Sequence, residues 1–364
     1  MKNYTKEELS YIWIDSFLCL EYKYKVEILE LIGDKGINLA LSENKDYLTK
    51  LIGAENLNTL INSSNKEYLE FTINALESRK VVAVTMVSNG YPKDLFNENC
   101  PPLILYCKGN VSLLNSENFA IVGSRKSLPL SIKIADNFAK ELSEVGFTLV
   151  TGIAEGVDSA VIMAVIEKGN KVISVIAGGL DNIYPKSNIE LIEKVVENNG
   201  LVVAEYPPDT VPKPYHFPVR NRIIAGLSKG VLVVSAGKKS GTLYTAEYAE
   251  LSSKLVFSVP YSVGVSSGEG CNDLIKKGAI LTDNVDDIIG YFGKEKNKKQ
   301  VKLSLDEKNI VSVLSDGEMH VEKICTALNK KVFEITPLLS MLEMKGIIVK
   351  SGNVYGLARN NMEV

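Results

Sequence analysis

From Phe119 onward, short and largely apolar runs alternate with amphipathic segments. That alternation restricts the possible fold more than any other feature of the chain. The runs are Phe119–Val122, Thr148–Val150, Val172–Ile176, Leu201–Ala204, Gly230–Val234 and Leu255–Val259. A strand with one wet face alternates polar and apolar residues. These runs do not, which marks strands covered on both faces. Between them, 132–145, 157–167 and 189–197 carry apolar residues at three- and four-residue steps, the period of a helix. The repetition predicts an α/β fold, an extended Rossmann-like doubly wound parallel sheet with right-handed crossovers. Ligands on such sheets bind beyond the carboxyl ends of the strands.

The flanks differ in pattern. Residues 1–85 read as an N-terminal helical domain, punctuated by Gly33 and Gly36. A turn-rich stretch from Asn89 to Pro102 leads to a short strand, Leu103–Tyr106, at the start of the sheet domain, 86–292. A lysine-rich linker at 293–304, with Lys294, Lys296, Lys298, Lys299 and Lys302, precedes a small C-terminal unit, 305–364. Helices expected at Asp306–Leu314, Val321–Leu328 and Val332–Lys345, then a hairpin turning at Ser351-Gly352-Asn353, give the order of a winged helix.

What is missing excludes several functions. The five cysteines are scattered with no C-x-x-C spacing, so neither a disulfide framework nor a zinc ribbon is expected, and a reducing cytoplasm fits. The charged N-terminus has no signal-peptide core, and no apolar run approaches the roughly 20 residues of a membrane span. The chain has no G-x-x-x-x-G-K-[ST], and no G-x-G-x-x-G follows a strand. With only His216 and His320, a histidine triad or metal cluster lacks partners. No catalytic constellation, metal site or cofactor is expected, and the reading is a binding module rather than an enzyme.

Arginine is scarce, and that scarcity locates the binding chemistry. Of 41 basic residues only Arg79, Arg125, Arg220, Arg222 and Arg359 are arginine. Arg125 follows the first sheet strand in Gly123-Ser124-Arg125, and Arg220 and Arg222 flank Asn221. A planar guanidinium grips phosphate at two points, which an ammonium cannot do. Four glycine-bearing loops follow strands: 123–125, Gly152 to Asp158, Gly178 to Asp181, and Ser240-Gly241-Thr242. Two of them open helices, whose N-termini attract anions. Net charge is −3, yet Thr210 to Ala246 contains no acidic residue while holding Lys213, Arg220, Arg222, Lys229, Lys238 and Lys239 among Tyr215, His216, Phe217 and Tyr244. Cations with interleaved rings suit a single nucleic-acid strand, whose backbone they hold and whose bases they stack. His216 is expected to stack or hydrogen-bond there rather than act as a base.

These residues together resemble the DNA-processing protein A (Smf) family, bacterial proteins that bind incoming single-stranded DNA and load the RecA recombinase during natural transformation. The resemblance runs in order through Gly123-Ser124-Arg125, Gly152 to Asp158, Gly179 to Pro185, Phe217 to Ser228, Ser240 to Ala246, and Gly270-Cys271-Asn272 to Gly278-Ala279. It is dense over 90–290, with the N-terminal helices (SAM/HhH-like) and winged helix following the family's domain order. Glu155 stands where the family usually has arginine, Val161 replaces a common histidine and Tyr261 a common glycine. The resemblance implies homodimers and a DNA site made by Ser124, Arg125, Gly152, Gly156, Lys213, Phe217, Arg220, Asn221, Arg222, Lys239, Ser240, Gly241 and Thr242, with Phe217 as stacking ring. The alternative is a nucleotide phosphoribohydrolase that cradles one phosphate in the same loops, with Glu155 or Asp158 as acid or base.

Overall fold

A computed structural model describes residues 3–97, 100–295 and 303–358, so most of the expected linker lies outside the described residues. The chain divides into two compact units, residues 1–296 and 297–364.

Six helices open the first unit: α1 (Lys6–Asp15), α2 (Tyr22–Ile32), α3 (Ile37–Glu43), α4 (Lys45–Ile52), α5 (Ala54–Ser63) and α6 (Lys66–Ser78). A capping box starts α1, with Thr5 accepting from the Glu8 amide while Glu8 reaches back to Thr5. Two faces of α1 serve two cores. Trp13 and Ile14 pack with Ile28, Leu41, Leu48 and Leu60, whereas Ile12 joins the sheet core. The buried indole satisfies its one donor on Ser63 Oγ, at 3.2 Å.

Nine strands form one sheet: β1 (Val82–Thr85), β2 (Ile104–Gly109), β3 (Asn118–Gly123), β4 (Thr148–Thr151), β5 (Val172–Ile176), β6 (Leu201–Ala204), β7 (Gly230–Ser235), β8 (Leu255–Ser258) and β9 (Ile280–Leu281). Their order is β1-β2-β6-β5-β4-β3-β7-β8-β9. All six apolar runs are strands of its parallel centre. The expectation of a parallel sheet needs correction at one edge, where β2 runs antiparallel to both of its neighbours, β1 and β6. Val82–Thr85, inside the stretch read as helical, is that edge strand.

Helices α7 (Pro129–Glu144), α8 (Val157–Glu167) and α9 (Ile189–Glu197) cover one face, with α13 (Asp286–Ile289). Helices α10 (His216–Gly226), α11 (Leu243–Leu251) and α12 (Glu269–Lys276) cover the other. Period-two geometry divides β3 between them: Phe119 and Ile121 enter the first core, Ala120 and Val122 the second. From β3 the chain winds through β4 and β5 to β6, then returns to add β7 on the other side of β3. That reversal creates a crevice beyond the carboxyl ends of β3 and β7. Register slips there, since Val122 faces Val233 but Gly123 faces Ser235. Such a bulge bends the strand end away from the ladder.

The second unit comprises α14 (Leu305–Leu314), β10 (Met319–His320), α15 (Val321–Leu328), α16 (Val332–Met344), β11 (Ile348–Ser351) and β12 (Val354–Leu357). The strands pair in the order β10-β12-β11. Ile310, Leu314, Ile324, Ile335, Leu339 and Leu342 make its core.

Candidate nucleic-acid interface

A cleft of about 460 Å³ lies at the β3/β7 crevice, walled by Ser124 and Arg125 on one side and by Ser240, Gly241 and Thr242 on the other. Helix α10 crosses it, and Phe217, Arg220, Asn221 and Ile224 face inward, positions that share one side of a helix. Asn221 fixes the far wall by donating Nδ2–H to the Gly241 carbonyl, at 3.1 Å. Ser240 caps the same turn, accepting the Thr242 amide and donating to Thr242 Oγ1.

The near wall depends on close backbone packing. Gly156 has φ +86°, and a Cβ there would lie 2.6 Å from the Ser124 carbonyl oxygen and 2.7 Å from that of Arg125. The turn that opens α8 is thus pressed against the loop presenting Arg125. Under the cleft, a Cβ on Gly152 would lie 2.4 Å from Asp158 Oδ2 and 2.9 Å from Arg220 Nη2. Only a glycine leaves room for these two charged groups.

The two arginines of the cleft are held differently. Arg125 is exposed and its guanidinium lies 4.8 Å from the Phe217 ring centroid. Tyr184 meets the same ring edge-on at 5.8 Å. Arg220 is buried, donating to the Val175 carbonyl and, through Nε, to Asn221 Oδ1 at 3.1 Å. Burial brings its guanidinium down to about 10, partly offset by Asp158 and pushed further by Arg125, so it remains a cation at neutral pH. Asp158 accepts the Ala154 amide at 3.1 Å, and burial raises its carboxyl despite the field of Arg220. The acidic group thus sits in the floor beside Arg220, and Arg125, with Lys126 next to it, is a cation at the rim.

Not every expected residue reaches this place. Arg222, two positions after Arg220, points to the other side of α10, where it is buried and pairs with Glu205. His216 is also buried, with its ring stacked 4.1 Å from that of Tyr206, and it does not line the cleft. Lys213 is exposed outside the cleft, its Nζ 5.9 Å from the Tyr215 ring. Lys239 is exposed beside the Ser240 wall. The loop after β5 is folded onto residues 207–210, where the Gly179 amide donates to Thr210 O and the Asp181 amide to Pro208 O. Asp181 also pairs with Arg79 at 2.7 Å. Glu155 lines a smaller recess beside the cleft with Tyr184, Arg125 and Phe217. It is exposed and accepts a hydrogen bond from Ser187 at 2.9 Å. Two lining residues were not singled out from sequence: exposed Lys126, next to Arg125, and Tyr184, which lies within a quoted motif.

Residues 82–293 match the family model described as DNA recombination-mediator protein A. The DNA processing protein DprA of Streptococcus pneumoniae is 38% identical over 216 residues, which is 59% of this chain and 76% of that protein. Protein Smf of Escherichia coli is 35% identical over 273 residues, 72% of this chain and 73% of the relative. Among solved structures, DprA from S. pneumoniae matches 79% of this chain and 98% of its own, with TM-score 0.61 and 30% identity. DNA processing protein A from Helicobacter pylori, described for its single-stranded DNA binding mode, matches 58% of this chain and 95% of its own, with TM-score 0.53 and 31% identity. No helix among the described residues is long and apolar enough to cross a membrane.

Proposed function

Since the chain belongs to the DNA recombination-mediator protein A family, we propose that it binds single-stranded DNA in the cleft between Arg125 and the Ser240 wall. The observation that carries this reading is an exposed guanidinium laid on a half-buried aromatic ring, above a second, buried guanidinium. Phosphate meets Arg125, with Lys126 and Lys239 adding charge at the rim. A base stacks on the Phe217 side of the cleft, and the buried charge of Arg220 biases the floor toward anions. Arg222 and His216 take no part. A duplex has its base faces covered, so the ring selects a single strand.

On this reading the site holds and positions a strand rather than serving as a reaction centre. Asp158 is buried in the field of Arg220 and accepts the Ala154 amide, and Glu155 is exposed at the rim, an arrangement we read as a binding site in preference to the hydrolase alternative. Fluorescence anisotropy with matched single-stranded and duplex oligonucleotides tests the proposal. Single strands should bind more tightly at every salt concentration, with log K falling by about 0.7 per phosphate contact for each decade of salt. Equal affinity for the two, or release of free base from nucleotides, would overturn it.

By the same family reading, the chain acts as a homodimer and delivers its strand to the RecA recombinase. Light scattering should give twice the monomer mass, and RecA should assemble faster on strands coated with this protein. We further read the unit from 305 onward as a winged helix, supported by three helices and the β11–β12 hairpin. The six N-terminal helices are read as a SAM/HhH-like domain.

A further inference from the structure

Helix α10 has a second face, and a second cavity opens on it. This cavity, about 550 Å³, is walled by Leu18 from the turn between α1 and α2, by Tyr22 of α2, by Val219 and Arg222 of α10, and by Tyr248 and Leu251 of α11. It falls within the size of small-molecule sites, roughly 300–1,000 Å³. Phe217 and Arg220, which face the DNA cleft, are not among its walls.

Two ion pairs lie in its lining. The first is closed: Lys25 reaches Asp15 Oδ1 at 2.9 Å, and Tyr106 donates to Asp15 Oδ2 at 3.0 Å. The second is open. Arg222 Nη2 reaches Glu205 Oε1, but Arg222 Nη1 and Glu205 Oε2 are buried with no hydrogen-bond partner among the described residues. Buried polar atoms are nearly always paired, and this ion pair could close with two prongs but closes with one. It leaves one N–H donor and one carboxylate acceptor of the pair without a partner. Both unpaired atoms are buried as the pair stands, so a ligand meets them by turning toward the cavity the Glu205 carboxylate, the more exposed of the two side chains at 17% against 9%. Tyr22, Tyr206 and Tyr248 line the same cavity.

We propose that this cavity binds a free, uncharged nucleoside. Its base edge gives a carbonyl or ring nitrogen to Arg222 Nη1 and an N–H to Glu205 Oε2, and its ring lies among the tyrosines. Charge decides against a nucleotide: Asp15 and Glu205 balance Lys25 and Arg222, so no cation is left for a phosphate. Because α10 is the wall shared with the DNA cleft, the site is placed to report on nucleosides without occupying the strand's path.

Isothermal titration of the full chain with adenosine, guanosine, cytidine, uridine and their 5′-monophosphates tests this. At least one nucleoside should bind saturably at one site, and its monophosphate should bind at least about tenfold more weakly. Glu205→Gln should weaken that nucleoside by about tenfold. Leu251→Trp, at a position 68% exposed and therefore tolerant of change, should block the mouth and abolish binding. Arg125→Ala should leave nucleoside binding unchanged. The proposal is overturned if no nucleoside binds at millimolar concentration. It is equally overturned if neither Glu205→Gln nor Leu251→Trp alters binding, or if Arg125→Ala removes it, which would put the ligand in the DNA cleft.

Discussion

The guanidinium of Arg125 lies 4.8 Å from the ring centroid of Phe217, bringing together a loop after β3 and the first turn of α10, 92 residues apart in sequence. A cation on an aromatic face is worth about 0.5–1 kcal/mol at an exposed site. Its larger consequence is geometric. One place on the surface brings together an exposed guanidinium and a half-buried aromatic ring, the two groups that the proposed strand site uses.

Arg125→Ala should weaken single-strand binding and reduce the slope of log K against log salt by about 0.7, the value of one phosphate contact. Arg222→Ala should leave that slope unchanged, since Arg222 faces the other side of the helix. Anisotropy titrations over a series of salt concentrations distinguish the two.

Phe217→Ala should cost about 1–3 kcal/mol of single-strand affinity, the usual contribution of one base stacked on a ring. Because Arg125 rests on that ring, the two substitutions should not add. A double-mutant cycle should show a coupling of roughly 0.5–1 kcal/mol. Strict additivity would mean that the two side chains meet the strand independently.

Gly156→Ala should destabilise the first unit by about 1–3 kcal/mol, because the residue needs a positive φ and its new methyl meets two carbonyl oxygens. Gly241→Ala has no contact within 4 Å and should be close to neutral for stability. Urea unfolding of both variants checks the contrast. Anisotropy on Gly156→Ala should also show weaker DNA binding, since the Arg125 loop is displaced.

His216 gives stability a pH dependence. Burial, with some help from Lys213, lowers its pKa below the ordinary value of about 6.5. The unfolded chain then binds the proton more readily than the folded one, so stability rises with pH. The contribution is complete above about pH 6.5 and is lost as pH falls through the depressed folded value. Urea midpoints at pH 7.5 and 5.5 should differ more in the parent protein than in His216→Asn.

The sheet was legible because its central strands are buried on both faces and leave largely apolar runs with almost no polar alternation. All six expected runs lie within a residue of the observed strands. Val82–Thr85 was not, since four residues hold too few periods to separate a strand from the helix that ends at Ser78. The arginine pair was misleading for a related reason. Helix α10 is buried nearly all round and has no apolar stripe to announce it. Without the helix, Arg220 and Arg222 look equivalent. With it, residues two apart point roughly 200° apart. The match of loops to cleft was legible only in part: 123–125 and 240–242 form its walls, while the 178–181 loop is spent on packing against 207–210.

Photo-crosslinking tests the central claim most directly. A single strand carrying 5-iodouracil, irradiated with the full chain and digested, should yield its principal crosslink on the peptide containing Phe217, with Arg125→Ala reducing the yield. Crosslinks confined to the N-terminal helices or to residues beyond 303, with none at Phe217 or Tyr184, would contradict a strand bound at the β3/β7 crevice.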